Sequence, residues 1–268
     1  MMKNLIFIMT LILSVTFNYQ SVAQVTTDQD EPVRKDTLKA SLMKAWSLAE
    51  QGNSEEASRI YIRIMETYPD NRDAVQGWIM TNMKNREGGP EELIKSLAQL
   101  QELYPENSGI LFYIAFVEAS TGQNEAALKD YNKLIEIQPD TALHYIGKGQ
   151  VAYELGKYRE AFEAFDKATL LDPSRVDAWE MKAALLAKMG KFDEAIASVE
   201  KGLEIAPGNP IGIYNRACIY CLKGDRANAL ADLEKAISIN PSLKLNALKD
   251  EDFKSLYEDE EFKKLTSQ

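Results

Sequence analysis

Histidine occurs once in these 268 residues and cysteine twice. That inventory is too small for a four-ligand zinc site of the usual histidine and cysteine type. The single imidazole, His144, has no serine or cysteine at any motif spacing from it. H-E-x-x-H, G-x-S-x-G and a glycine-rich phosphate loop are all missing. His144 therefore reads as a structural or surface residue, and neither catalytic residues nor cofactor nor metal is expected. Positive charge is also in short supply. Thirty-one Lys and Arg face 41 Asp and Glu, a formal net charge of -10. A surface of that sign repels phosphate backbones, so nucleic acid is not an expected partner.

Long apolar runs are absent except at the start. Lys3 is followed by an apolar stretch from Leu5 to Phe17, and Ser21-Val22-Ala23 places small residues where a signal peptidase reads. The run is 13 residues, shorter than the roughly 20 a membrane-spanning helix needs. The pattern predicts a cleaved signal peptide, 1–23, and hence an exported chain, periplasmic if the host is Gram-negative and otherwise secreted. The membrane is then met only through that peptide. Residues 24–37 are polar, contain Pro32 and are expected to be a flexible lead-in.

What is present is a repeat. Pro105, Pro139, Pro173, Pro207 and Pro241 are spaced 34 residues apart, and Pro69 precedes the first of them by 36. Gly122, Gly156, Gly190 and Gly224 keep the same period, as do Ala127, Ala161, Ala195 and Ala229. Three series sharing one period define a repeating structural element. Within it the apolar spacing is helical: Trp179, Ala183 and Leu186 stand at i, i+4 and i+7, and Ala195, Val199 and Gly202 do so again. Glycine between the two stripes supplies a tight turn, and proline stops the second helix. Asn209-Pro210 forms a cap followed by proline in the first turn, and Ser174 and Ser108 are placed to cap their helices. The repeat is helix–turn–helix, with six copies at 38–71, 72–107, 108–141, 142–175, 176–209 and 210–243. Small residues recur in first helices (Ala45, Ala115, Gly149, Ala183, Ala217) and larger ones face them (Tyr61, Tyr131, Phe165, Val199). The second copy departs, with Ile79 and Leu93 at small-residue positions and a turn two residues longer.

The sequence resembles the tetratricopeptide repeat family, whose copies follow W-x2-L-G-x2-Y, then A-x3-F, then P over 34 residues. Tyr145, Gly149, Ala161, Phe165 and Pro173 carry the pattern in the fourth copy, and Trp179, Ala183, Leu186, Ala195 and Pro207 in the fifth. The resemblance covers nearly all of the chain after the expected signal peptide. It implies an all-α fold, a right-handed α-solenoid of six helix–turn–helix copies. A solenoid end needs a cover. Residues 244–268 are expected to form a cap of one or two helices, laying Leu248, Phe253, Leu256, Phe262 and Leu265 on the last copy.

In that family the first helices line a concave face that binds extended peptides or partner helices. By phase, the candidate groove residues are Leu42, Trp46, Met80, Met83, Phe112, Phe116, Ile146, Gln150, Tyr153 and Tyr214. Gln76, Asp177, Glu180 and Ala184 share that phase. An apolar face of this kind suits a protein or peptide partner. Family members that clamp the acidic C-termini of chaperones use Lys, Arg and Asn here, so a carboxylate-clamp ligand is not expected. Cys218 and Cys221 form C-x-x-C in the first helix of the sixth copy, a possible disulfide or thiol pair. The expected function is a non-enzymatic binding scaffold in the cell envelope. A thiol-redox protein and a self-associating structural protein are the alternatives.

Overall fold

The computed structural model describes residues 31–69, 71–83 and 89–267, with the side chains of 31–36, 83 and 89 left undescribed. The expected signal peptide and residues 24–30 lie outside these. The described chain is helical with no strand. It divides into two compact halves, one ending at Ile137 and the other beginning at Gln138.

The N-terminal half holds α1 (Glu31–Glu50), α2 (Ser54–Thr67), α3 (Arg72–Met83), α4 (Gly89–Leu103), α5 (Ser108–Ser120) and α6 (Asn124–Ile137). The helix α1 begins inside the stretch expected as lead-in. The pairs α1–α2 and α5–α6 are antiparallel hairpins, and α2 packs on α3 as α4 packs on α5. The C-terminal half repeats the plan. Its helices are α7 (Ala142–Glu154), α8 (Tyr158–Leu171), α9 (Val176–Lys188), α10 (Phe192–Ile205), α11 (Pro210–Lys223) and α12 (Arg226–Ile239). Each first helix pairs with its second (α7–α8, α9–α10, α11–α12), and the first helices α7, α9 and α11 are successive neighbours. These are the paired helices of an all-α solenoid.

The turns explain the glycine period. Gly52, Gly122, Gly156, Gly190 and Gly224 all have φ between +71° and +85°. That left-handed backbone lets the chain leave one helix and enter the next within three residues, and a Cβ there would be strained. Capping partly follows expectation. The Asn209 side chain accepts from the Ile211 N–H, with Pro210 in the first turn of α11. The cap of α5 is Asn107, which accepts from the Ile110 N–H at 3.0 Å, so Ser108 begins the helix instead of capping it. Ser174 does not cap α9 either; its hydroxyl and N–H both turn back to Asp172. A competing side-chain acceptor two residues upstream captures it.

Close approach is set by glycine at two places. A Cβ on Gly149 would stand 2.5 Å from the Phe165 ring, and one on Gly77 would stand 2.3 Å from the Tyr61 ring. The first pairs α7 with α8 as expected. The second admits Tyr61 of α2 against α3, a contact not foreseen. It shows how the second copy tolerates the buried bulk of Ile79 and Leu93: its small residue has moved two positions.

The cap comprises α13 (Leu243–Ala247), a 3-10 segment (Glu251–Leu256) and α14 (Glu260–Thr266). Leu243, Phe253, Leu256 and Phe262 enter one core with Ala217, Leu230 and Leu233, and Leu265 packs at its margin. Leu248, expected there too, is 48% exposed. It closes α13, and the chain then turns through Asp250 into the 3-10 segment, so Phe253 faces inward while Leu248 does not.

Candidate functional site

The first-helix residues singled out by phase separate into three groups. In the N-terminal half, Trp46 is 59% exposed and Met43, three residues before it on α1, is 54% exposed. Leu42, Gln76, Met80 and Phe116 are half-buried. The side chain of Met83 lies outside those described. Phe112 is only 8% exposed. Its ring sits edge-on to Tyr113 and Tyr131 at 5.4 and 6.3 Å and stacks against Phe116 at 6.4 Å. The Arg72 guanidinium lies 5.0 Å from the ring centre. Phe112 therefore belongs to the aromatic core between α5 and α6, under the first turn of α3, and is removed from the groove.

In the C-terminal half, Gln150 and Ala184 are exposed, and Tyr153, Asp177 and Glu180 are half-buried. Tyr153 lies against Tyr158 with ring centres 5.7 Å apart. Glu180 accepts from the Asn209 side chain at 2.8 Å, tying α9 to the capped start of α11, and burial pushes its carboxyl above the ordinary range. Ile146 is 6% exposed and packs with Ala168 and Ala178. That is a core role, so Ile146 also leaves the groove.

The third group is sealed. Tyr214, Cys218 and Cys221 run down one face of α11 and are all buried. What buries them is the cap's 3-10 segment, which lies along α11. The Tyr214 hydroxyl donates to Asp250 Oδ2 at 2.8 Å, and the Tyr214 and Phe253 rings meet edge-on at 5.5 Å. Tyr214 is thus not part of an open groove.

The two thiols are free and buried, with no bond between them. The Cys218 thiol donates weakly to Asp250 Oδ2 at 3.8 Å, and Cys221 Sγ lies 3.2 Å from the Ser255 hydroxyl. Burial, and then the negative charges of Asp250 and Asp252, push the Cys218 thiol far up from its ordinary value; burial raises Cys221 as well. A thiol needs to reach the thiolate to attack a disulfide, and this setting suppresses it. The pair also sits within α11, away from the helix N-terminus that would favour ionisation. Cys218, Asp250 and Asp252 bring possible ligand atoms within 4.8 Å of one another. Asp250 is already engaged: it accepts from Tyr214 through one oxygen and from the Asp252 N–H through the other. That geometry explains the cluster as the turn that seats the cap. His144 is fully buried at the start of α7, in the core and away from any surface.

Two features were not read from the sequence. Glu118, near the end of α5, is 9% exposed, and its Oε2 has no hydrogen-bond partner among the described residues. Burial first, and then the nearby Asp130, raise its carboxyl from 4.5 to about 7, against the opposing pull of Lys129. The other is the occupied face of α11. The acid-Phe-x-x-Leu spacing marked the tail as a cap, but nothing in it said which face the cap would cover.

Paired helices recurring with a 34-residue period define the chain as an all-α helical repeat protein. Tetratricopeptide repeat patterns match residues 146–210, 111–141, 212–243 and 39–71, together more than half of the chain. The chain belongs to the tetratricopeptide repeat family. Among solved structures it is similar to a tetratricopeptide repeat protein from Parabacteroides merdae, at 21% identity and a TM-score of 0.56, covering 87% of this chain and all of that one. It is similar to YrrB, described as a TPR protein with an unusual peptide-binding site, at 21% identity and a TM-score of 0.53, covering 70% and 97% of the two chains. It is also similar to MamA, at 22% identity and a TM-score of 0.54, covering 58% and 91%. No curated protein sequence matches it. At these identities the likenesses speak to the fold.

Proposed function

We propose that this chain is a non-enzymatic scaffold that holds a protein or peptide partner on its first-helix face, with α1 supplying the principal anchor. The observation that carries the reading is Trp46. A tryptophan 59% exposed beside a methionine 54% exposed, on the helix that carries the buried Ala45, leaves apolar surface in water. Trp is the side chain most often found at the energetic centre of an interface, and Met adapts to irregular partners. Half-buried Met80 and Phe116 lie at the same phase of their own helices and extend the surface within the N-terminal half. A peptide-binding site in the similar YrrB supports a ligand of this class. The partner presents apolar anchors; the acidic surface and the lack of Lys and Arg at these positions disfavour an acidic tail clamped by charge.

The leader-like start of the sequence supports an envelope or secreted location. An N-terminus at Gln24 in protein recovered from the host would establish export, and retention of residues 1–23 would refute it. The binding reading is tested by cross-linking and capture with wild type and with a Trp46→Ala/Phe116→Ala variant. The expected result is a defined set of partners lost by the variant. Identical partner sets for both proteins would overturn the reading.

A further inference from the structure

The first helix α11 differs from α7 and α9, which leave Gln150 and Ala184 exposed, in that Tyr214, Cys218 and Cys221 are all buried, and the cover is a short stretch of the same chain beyond the repeats. Three residues of the segment engage three positions of the helix. Asp250 takes the Tyr214 hydroxyl at 2.8 Å, Phe253 meets the Tyr214 ring at 5.5 Å and Ser255 meets Cys221 at 3.2 Å. Cys218, between them, turns its thiol to Asp250. One carboxylate, one ring and one polar group read along successive turns of a helix is the way a groove reads a peptide.

The sequence adds an independent observation. The seated segment, DEDFKSL at 250–256, is written again nine residues later as DEEFKKL at 259–265. Both copies begin with a capping aspartate. The second forms an α-helix, and its Asp259 pairs with Arg226 at the start of α12. The first forms a 3-10 run of six residues, longer than such runs usually are. Nearly the same seven residues thus adopt two conformations, and the one on α11 is fitted to that face.

We infer that the inner face of the last repeat is a peptide site for Asp-x-x-Phe-x-x-Leu segments, closed in cis by residues 250–256, and that a partner segment of this pattern enters by displacing them. This deepens the proposed function and rests on its reading of first-helix faces as binding surfaces. The carboxylate is read here by a neutral hydroxyl, so recognition depends chiefly on the phenylalanine, which is fully buried. A tethered segment competes at an effective concentration of about 1 mM. A free peptide with an intrinsic dissociation constant of about 10 μM would then bind the closed chain roughly 100-fold more weakly.

The test uses the full chain and a fluorescein-labelled peptide of residues 248–258, with binding followed by anisotropy. An Asp250→Ala/Phe253→Ala chain, its fold verified by circular dichroism, should bind the peptide at least about tenfold more tightly than wild type. The bound peptide should protect Cys218 and Cys221, the only cysteines, from alkylation. The same peptide carrying alanine in place of Phe253 should not bind. A folded variant that binds no better than wild type overturns the inference. If the double variant does not fold, Asp250→Asn alone serves, with an expected gain of about threefold, and no gain refutes the proposal. Trp46 takes no part in this measurement. Loss of partners on Trp46→Ala/Phe116→Ala without peptide binding at α11 would reject this inference alone.

Discussion

Trp46 and Cys218 stand at the same position of their repeats, six residues before the turn glycines Gly52 and Gly224. One is 59% exposed and the other is buried. Their place in the repeat does not cause the difference, since it is the same in both. The cause lies further along the chain. Beyond the last repeat there are 25 more residues, 244–268, and seven of them are laid back on the face of α11. Position within a repeat therefore states which way a side chain points, and only the remainder of the chain determines whether anything meets it there.

The contrast can be broken most forcefully at Phe253. It is fully buried among Tyr214, Phe262 and the core of the last repeat. Phe253→Ala should cost about 3–5 kcal/mol, the usual range for a buried aromatic. The measurement is the urea midpoint at fixed pH, with alkylation of Cys218 and Cys221 followed in parallel. A midpoint within error of wild type would mean that the cap is not part of the core, and that the face of α11 is as open as that of α1.

The next comparison lies between repeats of the C-terminal half. Gly149 faces Phe165, whereas the next repeat pairs Ala183 with Val199 in its core. Glycine to alanine within a helix ordinarily stabilises by about 1 kcal/mol. At Gly149 the added methyl would fall 2.5 Å from the ring. Overpacking of that kind costs about 1–3 kcal/mol, so Gly149→Ala should be neutral to destabilising by about 2 kcal/mol. Gly149→Ala/Phe165→Val, which copies the neighbouring repeat, should recover part of the loss. A clearly stabilising single substitution would show that the two helices do not approach as closely as described.

These pairs also show what could be read in advance. The 34-residue period, the paired helices and the turn glycines were legible because each repeat must bury the same stripe with small residues at the same places. Exposure of the face was not. Phe112, Ile146 and Tyr214 have the phase of groove residues, yet each is covered, by Arg72 and Tyr131 of α6, by α8 and α9, and by the cap, respectively. Phase is a property of one helix. Cover comes from side chains tens of residues away whose reach no local pattern records. Gly77 escaped for the same reason: its partner Tyr61 belongs to the preceding repeat.

Glu118 sharpens the comparison in another direction. The equivalent positions of the later repeats are Ala152, Leu186 and Tyr220. A carboxyl thus stands in a register where the C-terminal half is apolar. The native state keeps its proton up to about 7, while the unfolded chain releases it near 4.5. Between those values the native state holds more protons than the unfolded one. Stability from this group therefore falls as pH rises from about 4.5 to about 7 and is flat above. Glu118→Gln should remove that slope, narrowing the difference between urea midpoints at pH 5 and pH 8. Asp130 faces the same carboxyl, so Asp130→Asn should narrow it in the same sense but less, because burial is the larger cause. An unchanged difference in the glutamine variant would place Glu118 in water.

Trp46 should give the smallest stability change, and that is what makes it informative. With more than half its surface in solvent, Trp46→Ala removes little that folding buries, and the urea midpoint should move by no more than about 0.5 kcal/mol equivalent. An aromatic anchor at an interface is worth about 2 kcal/mol or more to binding. The same substitution should therefore weaken partner capture by roughly 30-fold while leaving the fold intact. The two readouts separate the roles that burial alone confuses. A large loss of stability would mean that Trp46 is a core residue like Phe253 and that the two ends of the solenoid do not differ. Unchanged stability with unchanged capture would mean that the open face of α1 is not where the partner sits.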